Sequence, residues 1–339
     1  MTNRAITSFD IAKAAGVSQA TVSRALRNSS LVNAETRARI QKIAREMNYS
    51  VNRLAANLRT QQTHVLAILL YEEVGERPFE ANPFFLSMLG SITHAAADLG
   101  YDVLVTFQGE EDDWDHEILD TKRADGVILL GCRDYQKWED RLRELIESRV
   151  RLIFWGPYSE KLSGHIVGCD NIAGGRIATE HLIKLGRRRI MFLGLATETS
   201  PEFLARYQGY RQSLLQAGLE PDETLVVAAK NEGQEGYDAV RAVISSGCEF
   251  DAIFAATDML AIWAMKALHE AGLSVPDQVA VIGYDDLTIS QHVTPSLTTV
   301  RQDVAEAGRI LVNNLVGLIN DEAVSSALMQ PTLIVRDSA

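Results

Sequence analysis

From residue 64 onward, short apolar runs alternate with helical stretches, and this alternation constrains the fold more than any other feature. Most of the helical stretches end in a glycine-containing turn, as C-terminal helix caps commonly do. Strands that alternate with helices in this way form parallel sheets with crossover helices, although eight strands could also close a barrel. The predicted strands are 65–70, 102–107, 126–130, 151–155, 190–194, 225–228, 252–255 and 279–283. The predicted helices are 84–98, 138–147, 172–185, 207–216, 237–244 and 259–270.

The composition excludes several classes of protein. A chain of 339 residues with 46% hydrophobic residues has room for two or three domains. The apolar runs are much shorter than the roughly 20 residues of a membrane span, so no transmembrane segment is expected. The first residues contain no apolar signal core, so we expect a cytoplasmic protein. Three widely spaced cysteines fit neither a disulfide framework nor a zinc site, and we expect buried, reduced thiols.

The net charge of −12 is divided unevenly along the chain. The first 64 residues contain ten Lys or Arg and three Asp or Glu, a charge of +7, so the remaining residues carry −19. A basic end on an acidic body indicates an anion-binding head joined to a region with another task. A solvated basic face is the alternative reading of the same charge.

The basic end has the pattern of a helix-turn-helix. Ser8 is expected to cap a first short helix, and Gly16-Val17 then forms a tight turn. Ser18 caps a second helix over 19–26, and Asn33 caps a third that extends to about residue 48. The second helix has a polar outer face, which suits the major groove of DNA. A generic three-helix packing module is the alternative.

Three runs in this region resemble the DNA-binding head of the lactose-repressor family of bacterial transcription regulators. They are FDIAKAAGVSQATVSRAL from Phe9, NAETRARI from Asn33 and MNYSVNRLAANLRT from Met47. The resemblance implies a head over 1–51 and a hinge segment over 52–63, with Gln19, Ala20 and Arg24 as the main base readers. The full set of implied DNA contacts is Ser18, Gln19, Ala20, Thr21, Ser23, Arg24, Asn52, Arg53, Ala55 and Leu58.

The hinge segment has Leu54 and Leu58 one helical turn apart, flanked by arginines. So short a helix is unstable alone in water and needs a partner. In the family, two hinge helices pair in the minor groove, and a leucine wedges into the central base step and kinks the duplex. Leu58 occupies the wedge position. Val51 stands where the family usually has proline, which leaves the entry to the helix less fixed.

The resemblance continues through the body, residues 64–339, which matches an effector domain of two doubly wound lobes similar to periplasmic sugar-binding proteins. It implies lobe 1 over about 64–164 and 290–325, and lobe 2 over about 165–289 and 326–339. A ligand would lie at the carboxyl ends of the strands, between the lobes. The implied effector contacts are Phe84, Phe85, Trp155, Arg206, Asn231, Asp258 and Asp285. The aromatic residues could equally be core residues, and the Arg–Asp pair a plain salt bridge.

The sequence contains none of the common nucleophile, phosphate-loop or metalloprotease motifs, so we expect neither enzymatic activity nor a cofactor or metal. Asp285-Asp286 are neighbours in an extended segment, where adjacent side chains point to opposite sides. The sequence therefore predicts a homodimeric repressor that binds a palindromic double-stranded DNA operator and has no membrane association. A sugar or oligosaccharide is expected to release it from DNA. The alternatives are a corepressor-type regulator that responds to a purine or another metabolite, and a sugar-binding transport protein.

Overall fold

The computed structural model describes residues 6–26, 29, 31–49, 62–71, 82–108, 116–131, 135–230 and 234–339. The chain divides into two compact units, Met1–Thr63 and His64–Ala339. The first unit contains the head and the hinge segment, and the second is the body. Among the helices of the described ranges, none has the length and apolar character needed to cross a membrane.

The head consists of three helices around one small core. The helices are α1 (Ser8–Ala15), α2 (Gln19–Leu26) and α3 (Ala34–Glu46). Each turns an apolar face inward, because its small or branched apolar residues recur at helical spacing. The buried core residues are Ile11, Ala12, Ala15, Val22, Ala25, Val32, Ile40 and Ala44. The predicted helix-turn-helix is therefore present.

The caps of these helices agree with the sequence prediction except at the first. Thr7, not Ser8, precedes α1 and forms a capping box with Asp10, whose carboxylate accepts from the Thr7 backbone N–H at 2.8 Å. The prediction was wrong by one residue because a threonine and a serine stand side by side. Gly16 ends the helix with a left-handed φ of 64°, and Asn33 accepts from the Thr36 N–H at 2.8 Å to cap α3.

The body contains two open six-stranded sheets, one in each lobe, so the predicted doubly wound fold is confirmed and the barrel alternative is wrong. Lobe 1 has the strand order β11-β5-β4-β3-β1-β2, with all pairs parallel. Its strands are β1 (Val65–Tyr71), β2 (Asp102–Gln108), β3 (Gly126–Leu130), β4 (Leu152–Trp155), β5 (Ile166–Cys169) and β11 (Ala327–Met329). Lobe 2 has the order β12-β10-β9-β8-β6-β7, and only β12 is antiparallel. Its strands are β6 (Ile190–Leu193), β7 (Val226–Val227), β8 (Ala252–Ala255), β9 (Ala280–Asp285), β10 (Thr298–Arg301) and β12 (Thr332–Ile334).

Crossover helices connect these strands. They are α4 (Pro83–Asp98), α5 (Tyr135–Glu147), α6 (Asn171–Lys184), α7 (Pro201–Gln216), α8 (Glu235–Ser246), α9 (Asp258–Glu270) and α10 (Val304–Ile319). Short helical turns occur at His116–Asp120, Glu160–Leu162, Glu223–Leu225 and Thr288–Gln291. The helix predicted over 207–216 begins earlier, at Pro201, because proline fits the first turn of a helix, where its missing N–H is not needed.

The chain changes lobe after β5, after β10 and between β11 and β12. The boundaries expected near 164, 290 and 325 all lie before these points. The largest difference is at β10, which pairs with β9 and so belongs to lobe 2 rather than lobe 1. Helix α10 then returns to lobe 1, where it packs on α4. The strands β5, β10, β11 and β12 are short, and their apolar pattern was too weak to predict them.

Candidate functional site

Helix α2 of the head exposes a continuous polar face. Val22 and Ala25 are fully buried, whereas Ala20 and Arg24 are exposed. Of the other predicted DNA contacts on this element, Ser18 is exposed, and Gln19, Thr21 and Ser23 are half-buried. The helix therefore packs through one face and presents the predicted base readers on the other.

Two hydrogen bonds fix the start of α2. The Ser18 hydroxyl accepts from the Thr21 backbone N–H at 3.1 Å and so caps the helix, as predicted. The Gln19 side-chain amide donates to the Ser8 hydroxyl at 3.2 Å, which ties the start of α2 to α1. The predicted contacts Asn52, Arg53, Ala55 and Leu58 lie outside the described residues and remain predictions.

In the body, the predicted effector contacts gather at the carboxyl ends of the strands. In lobe 1, Trp155 is the last residue of β4, and Phe84 and Phe85 lie in the first turn of α4, which follows β1. In lobe 2, the charged contacts Arg206, Asp258 and Asp285 lie in α7, at the start of α9 and at the end of β9. Asn231 falls outside the described residues. This edge of a parallel sheet is where such folds bind ligands.

Lobe 1 contributes an aromatic cluster. The ring centroid of Phe84 lies 5.6 Å from that of Phe85 and 5.8 Å from that of Trp155. Phe84 and Trp155 are almost fully buried, whereas Phe85 is half-buried. Phe85 is therefore the member of this cluster whose ring remains open to a ligand, and the other two support it from the core.

Lobe 2 contributes a buried guanidinium. Arg206 is only 4% exposed. Its Nε donates to the Asn171 side-chain oxygen at 2.9 Å, its Nη1 donates to the Ala256 carbonyl, and its carbon Cζ lies 3.7 Å above the centre of the Tyr284 ring. The Asp285 carboxylate is 3.9 Å from Nη2. These contacts hold the planar group in one orientation.

Glycine at position 175 allows helix α7, which carries Arg206, to lie close to helix α6. A Cβ atom at Gly175 would overlap the backbone carbonyl of Arg206, so only glycine lets α6 approach α7 this closely. The short distance between the helices brings Asn171, the first residue of α6, within reach of the guanidinium.

Asp285 is a buried carboxylate on a strained backbone. Its φ is 112°, a conformation that L-residues rarely adopt. The Gln302 side-chain amide donates to it at 2.8 Å. Burial raises the pKa of Asp285 to about 6, even though Arg206 and Gln302 favour the charged form. The neighbouring Asp286 accepts from Arg301 at 2.6 Å. Its φ of 53° shows that this segment is not extended, so the prediction of an extended segment was wrong.

Asp258 is fully buried next to this site. One carboxylate oxygen accepts from the Leu287 backbone N–H at 2.7 Å and from the Ser290 hydroxyl at 2.5 Å. The other oxygen accepts from the Thr299 hydroxyl. Burial, and then the charge of Asp285, raise the pKa of Asp258 to about 7. Both oxygens are engaged, so Asp258 fixes the loop that follows Asp285.

The two lobes meet at this site. Leu287 and Met259, both from lobe 2, pack with the lobe 1 core cluster that contains Phe84 and Trp155. Leu287 is two residues from Asp285, and Met259 is next to Asp258. The aromatic and charged groups therefore lie on the two sides of one interface between lobes, a setting suited to a polar ring-shaped ligand. Within the described ranges, no group of three His, Cys, Asp or Glu side chains could hold a metal ion.

Two polar residues that bond to Arg206 or Asp285 were not among the predicted contacts. Asn171 was interpreted only as part of a capped helix, and Asp170 does cap α6. Gln302 follows β10, which was not predicted.

Models of two families match the chain. The model described as "Bacterial regulatory proteins, lacI family" matches residues 9–52, and the one described as "Periplasmic binding protein-like domain" matches residues 179–339.

Several curated proteins are similar over nearly their whole length. The ribose operon repressor of Escherichia coli (strain K12) is 30% identical over 335 residues, which cover 97% of this chain and 98% of the relative. The HTH-type transcriptional regulator CelR of Thermobifida fusca is 34% identical over 341 residues, with 97% and 96% covered. The HTH-type transcriptional repressor PurR of Pasteurella multocida (strain Pm70) is 29% identical over 336 residues, with 97% of each covered.

Solved structures share the fold. A complex of the transcriptional regulator CelR with cellobiose has a TM-score of 0.71 at 31% identity, and the match covers 98% of this chain and 100% of that one. The lac repressor dimer bound to operator and the anti-inducer ONPF has a TM-score of 0.77 at 27% identity, with 99% of each chain covered.

Proposed function

The chain belongs to the lacI family of bacterial regulatory proteins, and from this premise we propose that it is a homodimeric repressor whose operator binding is released by a sugar. The observation that carries the proposal is the interface between lobes, where lobe 1 contributes the half-buried ring of Phe85 and lobe 2 contributes a fixed guanidinium and a buried carboxylate. An aromatic ring suits the C–H face of a sugar, and charged groups suit its hydroxyls. The CelR–cellobiose complex supports the same ligand class.

In this proposal the head reads DNA through α2. Arg24 donates to a guanine, Gln19 donates to an adenine, and Ala20 makes an apolar contact with a base. The phosphates are contacted by Ser18, Thr21 and Ser23. Asn52, Arg53, Ala55 and Leu58 of the hinge segment contact the minor groove. The lac repressor dimer on its operator supports both the DNA partner and the dimer. A protein that acts on operator DNA works in the cytoplasm, at the nucleoid.

The switch works through differential binding. A sugar that binds the closed body better than the open one shifts the population toward the closed state. We propose that the lobe 1 movement on closure separates the paired hinge segments, so that the two heads lose the spacing of the half-sites. A coupling free energy of about 1–3 kcal/mol is enough for useful switching. Phe85, Arg206, Asn231 and Asp285 are the proposed direct contacts, with Phe84, Trp155 and Asp258 holding them in place.

A corepressor that binds DNA only with a purine is the second candidate, because PurR of Pasteurella multocida is similar over nearly the whole chain. The polar residue Asn231, at a position where a related purine-binding repressor has a stacking aromatic residue, favours the sugar. We propose no enzymatic activity, since the curated relatives reported above are transcriptional regulators. Incubation of the protein with any ligand found should therefore yield no product.

The DNA-binding half of the proposal is tested with duplexes selected from a random pool. Arg24→Ala should weaken binding to the selected duplex about 10- to 100-fold and relax the preference at one base pair. Arg39→Ala is the matched control, because it removes the same charge from an exposed position of α3. It should weaken all duplexes equally and slightly. Equal losses in the two variants would contradict the assignment of α2 as the reading helix.

The effector half is tested by thermal shift against a panel of sugars and nucleobases, followed by DNA binding with each hit. A ligand at 100 times its Kd adds about 2.7 kcal/mol to the free energy of unfolding. A sugar that stabilises the body and releases DNA supports the proposal. A purine that strengthens DNA binding would overturn it in favour of the corepressor.

A further inference from the structure

Two of the three connections between the lobes bond to the proposed effector contacts. Each of these lobe crossovers contains only one or two residues between one element and the next. The crossovers are Asp170, Gln302-Asp303 and Gln330-Pro331. Because so little backbone joins the lobes, these residues and their immediate neighbours absorb any rotation of one lobe against the other.

At the first crossover, the buried side chain of Asn171 connects Arg206 to lobe 1. Its oxygen accepts from Arg206 Nε at 2.9 Å, and its amide nitrogen donates to the Cys169 carbonyl at 3.1 Å. Cys169 is the last residue of β5 in lobe 1, whereas Arg206 lies in lobe 2. Helix α6 does not need Asn171 as a cap, since the Asp170 carboxylate already accepts from the Ala173 backbone N–H. One side chain therefore links the two lobes.

At the second crossover, Gln302 connects Asp285 to the helix that covers lobe 1. Its buried side-chain amide donates to the Asp285 carboxylate at 2.8 Å. The next residue, Asp303, caps α10 by accepting from the backbone N–H groups of Ala305 and Glu306. Helix α10 packs on α4 and on the lobe 1 sheet. Two consecutive residues therefore join Asp285 to the start of α10.

The third crossover differs from the other two. Gln330 is exposed, and among the described residues no hydrogen bond joins its side chain to Arg206 or Asp285. A backbone hydrogen bond ties this crossover to the first one, since the Asp170 N–H donates to the Met329 carbonyl at 2.9 Å. A buried amide that only satisfies a charge can come from any element, yet each member of the Arg206–Asp285 pair bonds to a residue at a crossover.

We propose that Asn171 and Gln302 are positioning residues that couple the effector site to the orientation of lobe 1 and thereby to operator affinity, a role that rests on the proposed function. Arg206 and Asp285 lie in lobe 2, and each bonds to a side chain that leads to lobe 1. Rotation of lobe 1 changes the geometry of both bonds. An effector that holds Arg206 and Asp285 in one arrangement therefore favours the lobe orientation in which both bonds are made.

The first test needs no effector and measures operator affinity of the full chain in a double-mutant cycle. Asp285→Asn perturbs the effector site, and binding of the duplex selected from the random pool reports on the distant heads. In the wild-type background this substitution should change the operator Kd about fivefold or more. In the Gln302→Met background, which lacks the amide donor, the same substitution should change the Kd less than about twofold. No effect in the wild-type background, or equal effects in both, overturns the inference.

Gln330→Met is the matched control, because it makes the same chemical change at the third crossover. Asp285→Asn should keep its full effect on operator affinity in this background. Loss of the effect here as well would show that any crossover substitution uncouples the heads, and the inference would be wrong. If the selection yields no duplex that the wild type binds, the proposed function itself fails and the inference falls with it.

Exchange of the two groups provides a second variant in case Gln302→Met does not fold. Asp285→Asn combined with Gln302→Glu swaps the donor and the acceptor, so the hydrogen bond is kept with its direction reversed. The operator Kd should return to within about threefold of the wild-type value, which loss of a purely local packing role does not predict. A folded double variant that keeps the full change of Asp285→Asn overturns the inference.

The second test compares the Kd of glucose, ribose and cellobiose in the free and the operator-bound protein. For a sugar that binds, the two values should differ about tenfold in the wild type, which is the coupling factor of the switch. Asn171→Asp keeps an acceptor for Arg206 but cannot donate to the Cys169 carbonyl. This variant and Gln302→Met should bring the factor below about twofold and leave the Kd of the free protein within about threefold.

A loss of sugar affinity above about tenfold in the free variants would identify Asn171 and Gln302 as direct contacts and overturn the inference. A coupling factor that stays at the wild-type value in both variants would overturn it too. If none of the sugars binds and the operator cycle gives the expected result, the proposed sugar effector is wrong and the coupling residues stand.

Discussion

The two lobes of the body share one strand order but place different chemistry at the edge where they meet. Each sheet runs through six strands in the same sequence of crossovers, and only the last strand differs, since β11 is parallel to β5 while β12 is antiparallel to β10. At the shared edge, lobe 1 offers aromatic rings and lobe 2 offers buried charges. The comparison shows that this fold supplies the position of a site and leaves its chemistry to a few side chains.

The difference should also appear in how each lobe tolerates substitution. The charged groups of lobe 2 are buried and form ion pairs and hydrogen bonds with their neighbours. Removal of one group therefore leaves a buried charge or polar group without a partner. The half-buried ring of Phe85 in lobe 1 forms no hydrogen bond or ion pair that its removal would break. Substitutions in lobe 2 should therefore affect stability and ligand binding together, whereas those at the open ring of lobe 1 should affect binding almost alone.

The largest effect is expected at Asp258. Asp258→Ala leaves three buried donors without an acceptor, namely the Leu287 N–H and the hydroxyls of Ser290 and Thr299. We expect the free energy of unfolding to fall by about 3–4 kcal/mol. Urea unfolding followed by tryptophan fluorescence measures the body specifically, because all four tryptophans lie after residue 64. A loss below about 1 kcal/mol would mean that the loop after β9 does not depend on this carboxylate.

A change of pH is expected to alter the free energy of unfolding by a smaller amount. The folded pKa values of Asp258 and Asp285, about 7 and about 6, lie above the roughly 3.9 of an unfolded aspartate. Between about pH 4 and pH 7 the folded state therefore binds more protons than the unfolded state. The two protonated carboxyl groups stabilise the folded state fully below pH 4, and this stabilisation is lost as pH rises through 6 and 7. The body should gain about 2–4 kcal/mol between pH 8 and pH 5.

The same melts on Asp258→Asn provide the control for this pH dependence, since the variant should flatten the slope. A wild-type stability that stays constant or rises from pH 5 to pH 8 would show that the pair is ionised in the folded state throughout. Measurements stay above pH 5, because the pKa values of Glu139, Asp222 and Glu306 are lowered and these groups protonate below that range.

The smallest effect on stability is expected at Phe85. Phe85→Leu keeps an apolar side chain in a half-buried position, so the free energy of unfolding should change by less than about 1 kcal/mol. Affinity for the effector found in the panel should fall about tenfold, because the flat ring is lost. If stability falls as much as in Asp258→Ala, the contrast between the lobes is wrong.

The sequence predicts the parts of this molecule that have strong local patterns. Helices such as α4 and α9 and fully apolar strands such as β3 have the predicted bounds or nearly so, because burial alone specifies them. Helix α10 was not predicted, and the first turns of α7 were missed. The four-residue strand β10, the three-residue strands β11 and β12, and the change of lobe that depends on them are decided by pairing with distant strands. Local sequence carries little of that information.

At the candidate site, too, local sequence predicts only part of the arrangement. Arg206 and Asp285 were predicted from the family resemblance, and the structure does bring them together at 3.9 Å. Asn171 and Gln302 come from separate segments, and only the packing of α6 on α7 and of β10 on β9 places them beside Arg206 and Asp285. The two Asp258 oxygens likewise accept hydrogen bonds from donors about 30 and 40 residues away in the sequence.

The discontinuous path of lobe 1 has a consequence for synthesis on the ribosome. Its first five strands end at Cys169, but its covering helix α10 and its last strand, Ala327–Met329, begin roughly 135 and 160 residues later. At about 5–20 residues per second, the nascent lobe waits some 10–30 s with the outer edge of β5 unpaired. During this interval lobe 2 begins to form while lobe 1 is unfinished. The nascent chain should therefore depend on chaperones most strongly in that window.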